Sequence, residues 1–244
     1  MIFIDINCDV GEGVGNESDL MPLISSCNIA CGGHAGDEQT MMETILLAKR
    51  NDVKIGAHPS YPDRVNFGRK RMEMSSENLI SNIKGQLSNF MRVLKHQKGQ
   101  LHHIKPHGAL YNAIAKDENL ANVFLDALES FKTTPIYVPY HSKIQHAAIK
   151  RGFPTYFEAF ADRNYHNTLE LVSRSEKNSL IIEPEMVMEH LLPMINNEKV
   201  RTIEGGFMKI KAHTYCIHGD TSSALEILMY LHRELPKHNI KIRR

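Results

Sequence analysis

The amino-acid sequence predicts an α/β fold with parallel strands, of a size that suits a single (β/α) barrel. Short apolar segments alternate along the chain with longer amphipathic segments, which is the pattern of βαβ units. The 244 residues come close to the roughly 250 residues of a typical (β/α) barrel. We find no Gly/Ser linker, low-complexity stretch or repeat, so we expect one domain over residues 1–244.

Seven short apolar segments are predicted to be strands, and most of them run into a polar turn. They are residues 2–7, 26–30, 53–57, 102–105, 135–138, 155–157 and 214–217. Helices are expected between them, with Asp37 and Ser75 as caps of two helices and Thr221 as cap of the last one. Residues 169–206 are the least regular part, in which residues 180–182 are compatible with a strand or with irregular structure.

Composition excludes several classes of function. The net charge of +1 and the lack of a basic stripe argue against nucleic-acid binding. No apolar run approaches the roughly 18 residues of a membrane helix, and the amino terminus lacks the pattern of a signal peptide. The four cysteines are too few for a disulfide scaffold, so we expect them to be reduced and buried. These observations predict a cytoplasmic protein.

Histidines recur in the turns that follow the predicted strands. His34, His58, His107 and His218 each lie at the end of a different strand. With 14 histidines in the chain, any one of them could lie there by chance, but four repetitions indicate a site. The carboxyl ends of parallel strands meet at one edge of the fold, and ligands bind there. The sequence therefore predicts a histidine-rich site at this edge.

Two kinds of chemistry suit these histidines. Neutral imidazole can bind a metal that activates water, and imidazole can also act as a general acid or base near neutral pH. The candidate metal ligands are Asp9, His34, His58 and His107. Without a metal, Asp9 or Glu12 could serve as the base, while Lys105 and a histidine stabilise an oxyanion. No HExxH motif decides between the two, and both stay open.

Other polar turns offer weaker signals. The glycines of residues 11–15 resemble a phosphate loop, but no Gly-Lys-Ser/Thr follows and a glutamate within the loop would repel phosphate. Arg64 and Arg69 could clamp a carboxylate, or could equally belong to a solvated loop. Asp162 and Arg163 are better candidates because both directly follow a strand.

Six ordered blocks of the sequence resemble the LamB/YcsF family. They are NCDVGEG (7–13), NIACGGHAGD (28–37), GAHPSYPD (56–63), KPHGALYN (105–112), FADRNY (160–165) and IHGDT (217–221). The blocks run from the first strand to the last helix, so the resemblance covers nearly the whole chain. Two departures are visible: Gly33 and Glu38 replace a bulkier residue and a proline, and residues 166–170 lack the family's usual Asp-Gly turn.

The resemblance implies a distorted (β/α) TIM-like barrel similar to that of carbohydrate deacetylases. It also implies the role of the A subunit of a prokaryotic 5-oxoprolinase. That enzyme opens 5-oxoproline (pyroglutamate) to glutamate with cleavage of ATP, a co-substrate of the complex, alongside separate B and C subunits. The resemblance does not decide whether a divalent metal takes part. The alternatives are a metal-dependent deacetylase or amidohydrolase acting alone, and a substrate-binding subunit without its own catalysis.

The roles expected of the candidate residues follow from their convergence at strand ends and from the chemistry of lactam hydrolysis, the reaction that the resemblance implies. The expected catalytic residues are Asp9, His34, His58, Lys105 and His107. The expected substrate-binding residues are Glu12, Asp37, Tyr61, Arg64, Arg69, Asp162, Arg163 and His218. Among these, Asp9 is expected to act as the base, the histidines as acid and orienting groups, and Lys105 as the partner of developing negative charge.

Overall fold

The computed structural model describes residues 1–243 and contains a closed barrel of parallel strands. With strands numbered along the chain, the barrel consists of β2 (Ile6–Val10), β3 (Ser26–Ala30), β4 (Lys54–His58), β5 (Leu101–Ile104), β6 (Ile136–Pro139), β7 (Thr155–Phe160) and β10 (Thr214–Cys216). They pair in this order, and β10 closes the barrel against β2. The predicted distorted (β/α) barrel is confirmed, with the usual eight strands reduced to seven because β7 pairs directly with β10.

Helices surround the barrel, and apolar side chains pack between the two layers. They are α1 (Glu17–Leu20), α2 (Glu38–Arg50), α3 (Ser76–His96), α4 (Gly108–Lys116), α5 (Glu118–Ala127), α6 (Lys143–Lys150), α7 (Pro184–Asn197) and α8 (Ala224–Glu234). Two predicted caps are confirmed. Asp37 accepts a hydrogen bond from the Thr40 amide, and Ser75 accepts one from the Asn78 amide, because both side chains reach back to amides left free in the first turn.

The predicted cap of the last helix is wrong. The α8 helix begins after Ser223, and the Thr221 hydroxyl instead donates to Asp162 at 3.1 Å. A buried carboxylate needs hydrogen-bond donors more than an exposed helix end does, since water can satisfy the helix end.

The predicted first strand, residues 2–7, is also wrong as a single element. It divides at Asp5 into β1 (Ile2–Ile4) and the barrel strand β2. The β1 strand pairs outside the barrel with β11 (Ile240–Ile242), which lies at the other end of the chain. A local pattern of apolar residues carries no signal of such a distant partner. The remaining strands, β8 (Lys199–Arg201) and β9 (Phe207–Lys209), form an antiparallel hairpin, and residues 180–182 are irregular.

The interior of the barrel is polar, and this determines where the site forms. Side chains alternate along a strand, so Asn7 and Asp9 of β2 point inward while Cys8 joins the apolar layer beneath the helices. Asn7 donates to Glu158 at 2.9 Å and to Thr214 at 2.8 Å across the barrel. Buried polar groups are stable only when paired, so this network holds the strands in one arrangement.

Two smaller expectations concern the cysteines and membrane segments. All four cysteines are free and buried, as predicted, and burial raises the pKa of Cys27 and Cys31 to about 12. Within residues 1–243, no helix is both long enough and apolar enough to cross a bilayer.

Candidate active site

The candidate site lies at the carboxyl ends of the barrel strands. Asp9 lies on β2, His58 is the last residue of β4, and His34, Lys105 and His107 follow β3 and β5 directly. All five are buried, with Glu12 beside them in the turn after β2. The structure therefore brings together residues that are distant in sequence, because parallel strands deliver their ends to one edge.

The three histidines form one compact cluster. The rings of His34 and His107 are stacked, with centroids 3.6 Å apart. The ring of His58 meets them edge-on, with centroids at 5.6 Å and 4.8 Å. The loop after β4 covers this cluster: Phe67 packs edge-on against both stacked rings, and a Cβ at Gly68 would lie 2.9 Å from the Cβ of His34. Gly68 also has φ +61°, so this close approach requires glycine.

Backbone carbonyls determine which nitrogen of each ring carries a proton. His58 Nδ1 donates to the Lys105 carbonyl at 2.7 Å, and His107 Nε2 donates to the Phe67 carbonyl at 2.9 Å. In the neutral rings the opposite nitrogens are therefore bare, and these two, His58 Nε2 and His107 Nδ1, lie 2.9 Å apart. Two lone pairs repel at that distance. The contact requires a proton on one of the rings or a cation bound by both.

Burial favours the uncharged forms of His34, His107 and Glu12. Burial lowers the pKa of His34 to about 2 and that of His107 well below its usual value, with neighbouring histidines adding to both shifts. Burial and the charges of Asp9 and Asp220 raise the pKa of Glu12. Glu12 Oε1 lies 2.9 Å from His34 Nε2, so the protonated acid donates to the bare ring nitrogen. His34 Nδ1 has no hydrogen-bond partner among the described residues.

Asp9 forms a buried ion pair with Lys105. The ammonium lies 2.9 Å from Asp9 Oδ1 and also contacts Glu158 at 2.9 Å and Cys216 at 3.1 Å. Burial raises the pKa of Asp9, but the charges of His58 and Lys105 outweigh it and hold the pKa well below its usual value. Burial likewise lowers the pKa of Lys105, yet the negative charges around it keep that pKa raised. Asp9 is thus a carboxylate and Lys105 an ammonium.

A second acid and histidine pair lies on the other side of Asp9. Asp162, which follows β7, accepts hydrogen bonds from the backbone amide of His218 at 2.9 Å and from its Nδ1 at 3.0 Å. Burial raises the pKa of Asp162, but His218 and its hydrogen bonds outweigh that effect and lower the pKa to about 2. The carboxylate therefore holds the imidazole with Nδ1 protonated. Nε2 makes no hydrogen bond within residues 1–243 and is free for a ligand.

The two arginines predicted to bind a carboxylate have different surroundings. Arg64 donates to the carbonyl of Gly36, which ties the loop after β4 to the turn after β3. Arg69 forms an ion pair with Asp220, and its guanidinium stacks over the Phe67 ring at 4.7 Å from the centroid. Arg69 thus contacts the ring that covers the histidine cluster.

Three predicted site residues are engaged elsewhere. Asp37 is exposed and caps α2. Arg163 is buried and donates to the carbonyls of Ser179 and Val172, which holds the irregular segment after β7 against the barrel. Tyr61 is buried within the apolar layer.

Several residues of the site were not found by sequence reasoning. These are Asn7, Asn28, His103, Glu158, Arg174, Cys216 and Asp220. Most of them lie inside strands. A polar residue at every second position of a strand could have indicated that these side chains face the interior of the barrel. Glu158 illustrates it, because a carboxylate between apolar residues of a strand indicates an inward-facing position.

Donor atoms close enough for a divalent metal are present in the cluster. Glu12, His34, His58 and His107 each offer an atom within 4.8 Å of the others. Bare imidazole nitrogens and a carboxylate are the ligands that zinc prefers. These four residues are therefore the set that could share one ion, with Glu12 in the place that the sequence predicted for Asp9.

Comparisons of the sequence with known proteins identify its family. The model of the LamB/YcsF family matches residues 4–244. A protein of Staphylococcus haemolyticus, named as the A subunit of 5-oxoprolinase, is 40% identical over 98% of each chain. One of the same name from Pyrococcus horikoshii is 37% identical, over 98% of this chain and 96% of its own.

A solved structure has the same fold throughout. The crystal structure of a lactam utilization protein from Thermus thermophilus superposes with a TM-score of 0.91 at 33% identity, and 99% of each chain is covered. Sequence and structure thus match the same group of proteins over their full length. The chain belongs to the LamB/YcsF family.

Proposed function

We propose that this chain is the subunit of an ATP-dependent 5-oxoprolinase that opens 5-oxoproline to L-glutamate by hydrolysis of the lactam C–N bond. One observation carries the proposal: the buried Asp9 carboxylate lies between the His58 cluster on one side and the Asp162–His218 pair on the other. Amide hydrolysis needs one group to take a proton from water and another to give a proton to the leaving nitrogen. The names of the relatives add support for the substrate class.

The His58 and His107 pair is the place where a proton from water can be accepted. A proton placed between their bare nitrogens is shared by both rings, which removes the repulsion of two lone pairs at 2.9 Å. Asp9 Oδ2 lies 3.4 Å from His58 Nε2 and balances the positive charge that forms. Asn28 and Lys105 occupy Asp9 Oδ1 and hold the carboxylate as a charge partner, so we assign the base role to His58, whose Nε2 faces Asp9 Oδ2.

His218 supplies the proton for the leaving nitrogen. Its Nδ1 is held by the Asp162 carboxylate, and in the imidazolium form its Nε2 also carries a proton, which passes to the ring nitrogen. In the balanced reaction, the oxygen of water bonds to the carbonyl carbon, the C–N bond breaks, and the ring nitrogen receives a proton to become the amine of glutamate. Lys105 takes no direct part, because Asp9, Glu158, Cys216 and Asn7 surround its ammonium. It keeps Asp9 ionised.

ATP cleavage belongs to the complex in this proposal. A five-membered lactam is a stable amide, and phosphoryl transfer from ATP to the lactam oxygen, which leaves ADP, would make its carbon easier for water to attack. Ring opening would then give an acyl phosphate, from which a second water releases phosphate to give glutamate. We assign that step to the partner B and C subunits. The glycine turn at residues 11–15 offers a phosphate no favourable place, because Glu12 lies within it among the histidines.

A second candidate function follows from the contact between the two bare nitrogens. Glu12, His34, His58 and His107 fit a divalent metal, which would polarise the carbonyl and activate water without ATP. The chain would then be a metal-dependent amidohydrolase that acts alone. Metal analysis of the purified chain, and its turnover without ATP or partners, separate the two candidates.

A glutamate-release assay with 5-oxoproline and ATP, with and without the B and C subunits, tests the proposal. We expect release from the assembled complex, and we expect His58→Gln to abolish most of it. His96→Gln is a matched control, because His96 is exposed at the end of α3. Full turnover by the His58→Gln complex would contradict the base role that we assign to His58, and full turnover by both His58→Gln and His218→Gln complexes would make this chain a binding subunit without catalysis.

A further inference from the structure

We propose that Arg69 and Arg174, bridged by Asp220, form the subsite that binds the carboxylate of the substrate. The inference rests on the proposed function, since it names the place where one group of 5-oxoproline is recognised. Arg174 and Asp220 were not among the residues predicted from sequence.

The three residues come from three loops that meet at the mouth of the barrel. Arg69 follows β4, Arg174 follows β7 and Asp220 follows β10. The guanidinium of Arg69 pairs with Asp220 Oδ2, while a terminal nitrogen of Arg174 lies 3.8 Å from Asp220 Oδ1. One carboxylate thus lies between two arginines.

The charges and the hydrogen-bond donors of Arg69, Arg174 and Asp220 would accommodate one further anion. Two guanidinium groups and one carboxylate carry a net charge of +1, so one further monoanion would balance them. The distance from Arg174 to Asp220 is too long for a hydrogen bond, and Arg174 makes none to any residue in the described range 1–243. A guanidinium offers five N–H donors in a planar fork that matches a carboxylate. Donors remain available on both arginines.

The group is accessible enough to exchange partners. The exposed fractions of the side chains are 33% for Arg69, 26% for Arg174 and 19% for Asp220. Ion pairs at this exposure contribute little net stability, so a substrate carboxylate can replace Asp220 or join it at low cost. Stacking on Phe67 holds the Arg69 guanidinium in place without using its in-plane donors.

The position also agrees with the chemistry of the ring. In 5-oxoproline the carboxylate is attached to the carbon next to the ring nitrogen. The group that protonates this nitrogen and the group that binds the carboxylate must therefore be neighbours. His218, the proposed acid, is two residues from Asp220. On the opposite side, Phe67 links Arg69 to His34 and His107 through ring contacts at 5.2 Å and 5.5 Å between centroids.

Isothermal titration of the full chain with 5-oxoproline, and with its neutral amide 5-oxoprolinamide, tests the inference. We expect Arg174→Gln and Arg69→Gln to weaken binding of 5-oxoproline at least 10-fold and to leave binding of the amide within 2-fold. Arg92→Gln is the matched control, because Arg92 forms an exposed ion pair with Glu38 on the outer helices. It should bind both ligands like the wild type.

Asp220→Asn separates a binding role from a structural one. If Asp220 competes with the substrate for the arginines, this variant binds 5-oxoproline as tightly as the wild type or more tightly. If the bridge only holds the loops together, Asp220→Asn weakens the binding of 5-oxoproline and of 5-oxoprolinamide to the same extent. The two arginine variants would then also weaken both ligands equally. Either result overturns the inference.

Two readouts distinguish failure of this inference from failure of the proposed function. If the complex releases glutamate but Arg174→Gln binds 5-oxoproline like the wild type, the carboxylate subsite is elsewhere and the function stands. If the wild-type complex releases no glutamate, the proposed function fails and the inference fails with it.

Discussion

The two ends of the barrel each contain a carboxylate paired with a lysine, and the two pairs have opposite surroundings. At the carboxyl end Lys105 lies 2.9 Å from Asp9, and at the amino end Lys54 lies 2.9 Å from Asp5. The exposed fraction of the lysine is 2% in the first pair and 32% in the second. The electrostatic attraction between lysine and carboxylate is therefore stronger at the carboxyl end, because water screens the exposed pair and not the buried one.

The neighbours of the two carboxylates differ as well. Asp5 accepts hydrogen bonds from the hydroxyls of Ser26 and Thr214, both at 2.8 Å, and from Lys54. Hydroxyl groups satisfy a carboxylate and transfer no proton near neutral pH. Asp9 instead faces His58 at 3.4 Å, and an imidazole can both accept and donate a proton. Burial combined with an imidazole partner distinguishes the candidate active site from a structural ion pair.

The largest expected effect comes from breaking the buried pair. Lys105→Met leaves Asp9 and Glu158 without their cation, and removal of one partner of a buried ion pair costs about 3–5 kcal/mol of unfolding free energy. Urea unfolding measures this loss, and the glutamate-release assay should show turnover near background. The double variant Lys105→Met with Asp9→Asn should regain part of the stability and none of the turnover. If Lys105→Met alone were as stable as the wild type, Lys105 would not be needed to stabilise the buried carboxylates.

The next effect concerns the acid on the far side of Asp9. His218→Gln removes the proton donor, and Asp162→Asn removes the carboxylate that holds its tautomer. Each should lower kcat of the complex about 10²–10⁴-fold, which is the usual contribution of a positioned acid or base. Thermal unfolding is the control for folding, and binding of 5-oxoproline by the His218→Gln chain should stay close to that of the wild type. A fall in affinity with kcat unchanged would instead make His218 a binding residue.

Acid should destabilise the folded chain through two buried histidines, His103 on β5 and His190 on α7. Burial, together with the charges of His102 and Lys105, lowers the pKa of His103 well below 6.5, and burial lowers the pKa of His190 to about 4. The unfolded chain therefore binds protons first, so stability is full above about pH 6.5 and is lost as the pH falls toward 4. For His190 the loss amounts to about 3 kcal/mol.

Urea unfolding at pH 7.5, 6 and 4.5 measures this dependence. His190→Leu should flatten the curve between these values, while His96→Gln, which changes an exposed histidine, should leave it unchanged. Equal slopes for His190→Leu and the wild type would show that His190 is not neutral in the folded chain.

The smallest effect is expected at the amino end. Lys54→Met removes a partly exposed partner of Asp5, and the hydroxyls of Ser26 and Thr214 still satisfy that carboxylate. The unfolding free energy should fall by about 0.2–1 kcal/mol, and glutamate release should be unchanged. A loss of turnover in this variant would mean that the two ends are coupled through the polar interior.

The sequence by itself was sufficient to predict the class of fold and the edge on which the site lies. Alternation of apolar and amphipathic segments indicated parallel strands, and histidines in successive strand-end turns indicated convergence. Both signals are local, since a strand and the turn after it are neighbours in the chain. The caps at Asp37 and Ser75 were predictable for the same reason.

Only the tertiary structure decided which side chains meet. The partner of β1 lies more than 230 residues away at β11, and Thr221 satisfies Asp162 in place of a helix end. The pairing of Arg174 with Asp220 joins two loops that no spacing connects. Even the histidine tautomers depend on the carbonyls of Lys105 and Phe67. Periodicity reports which face of an element is buried, whereas the partner across the barrel depends on closure of the whole sheet.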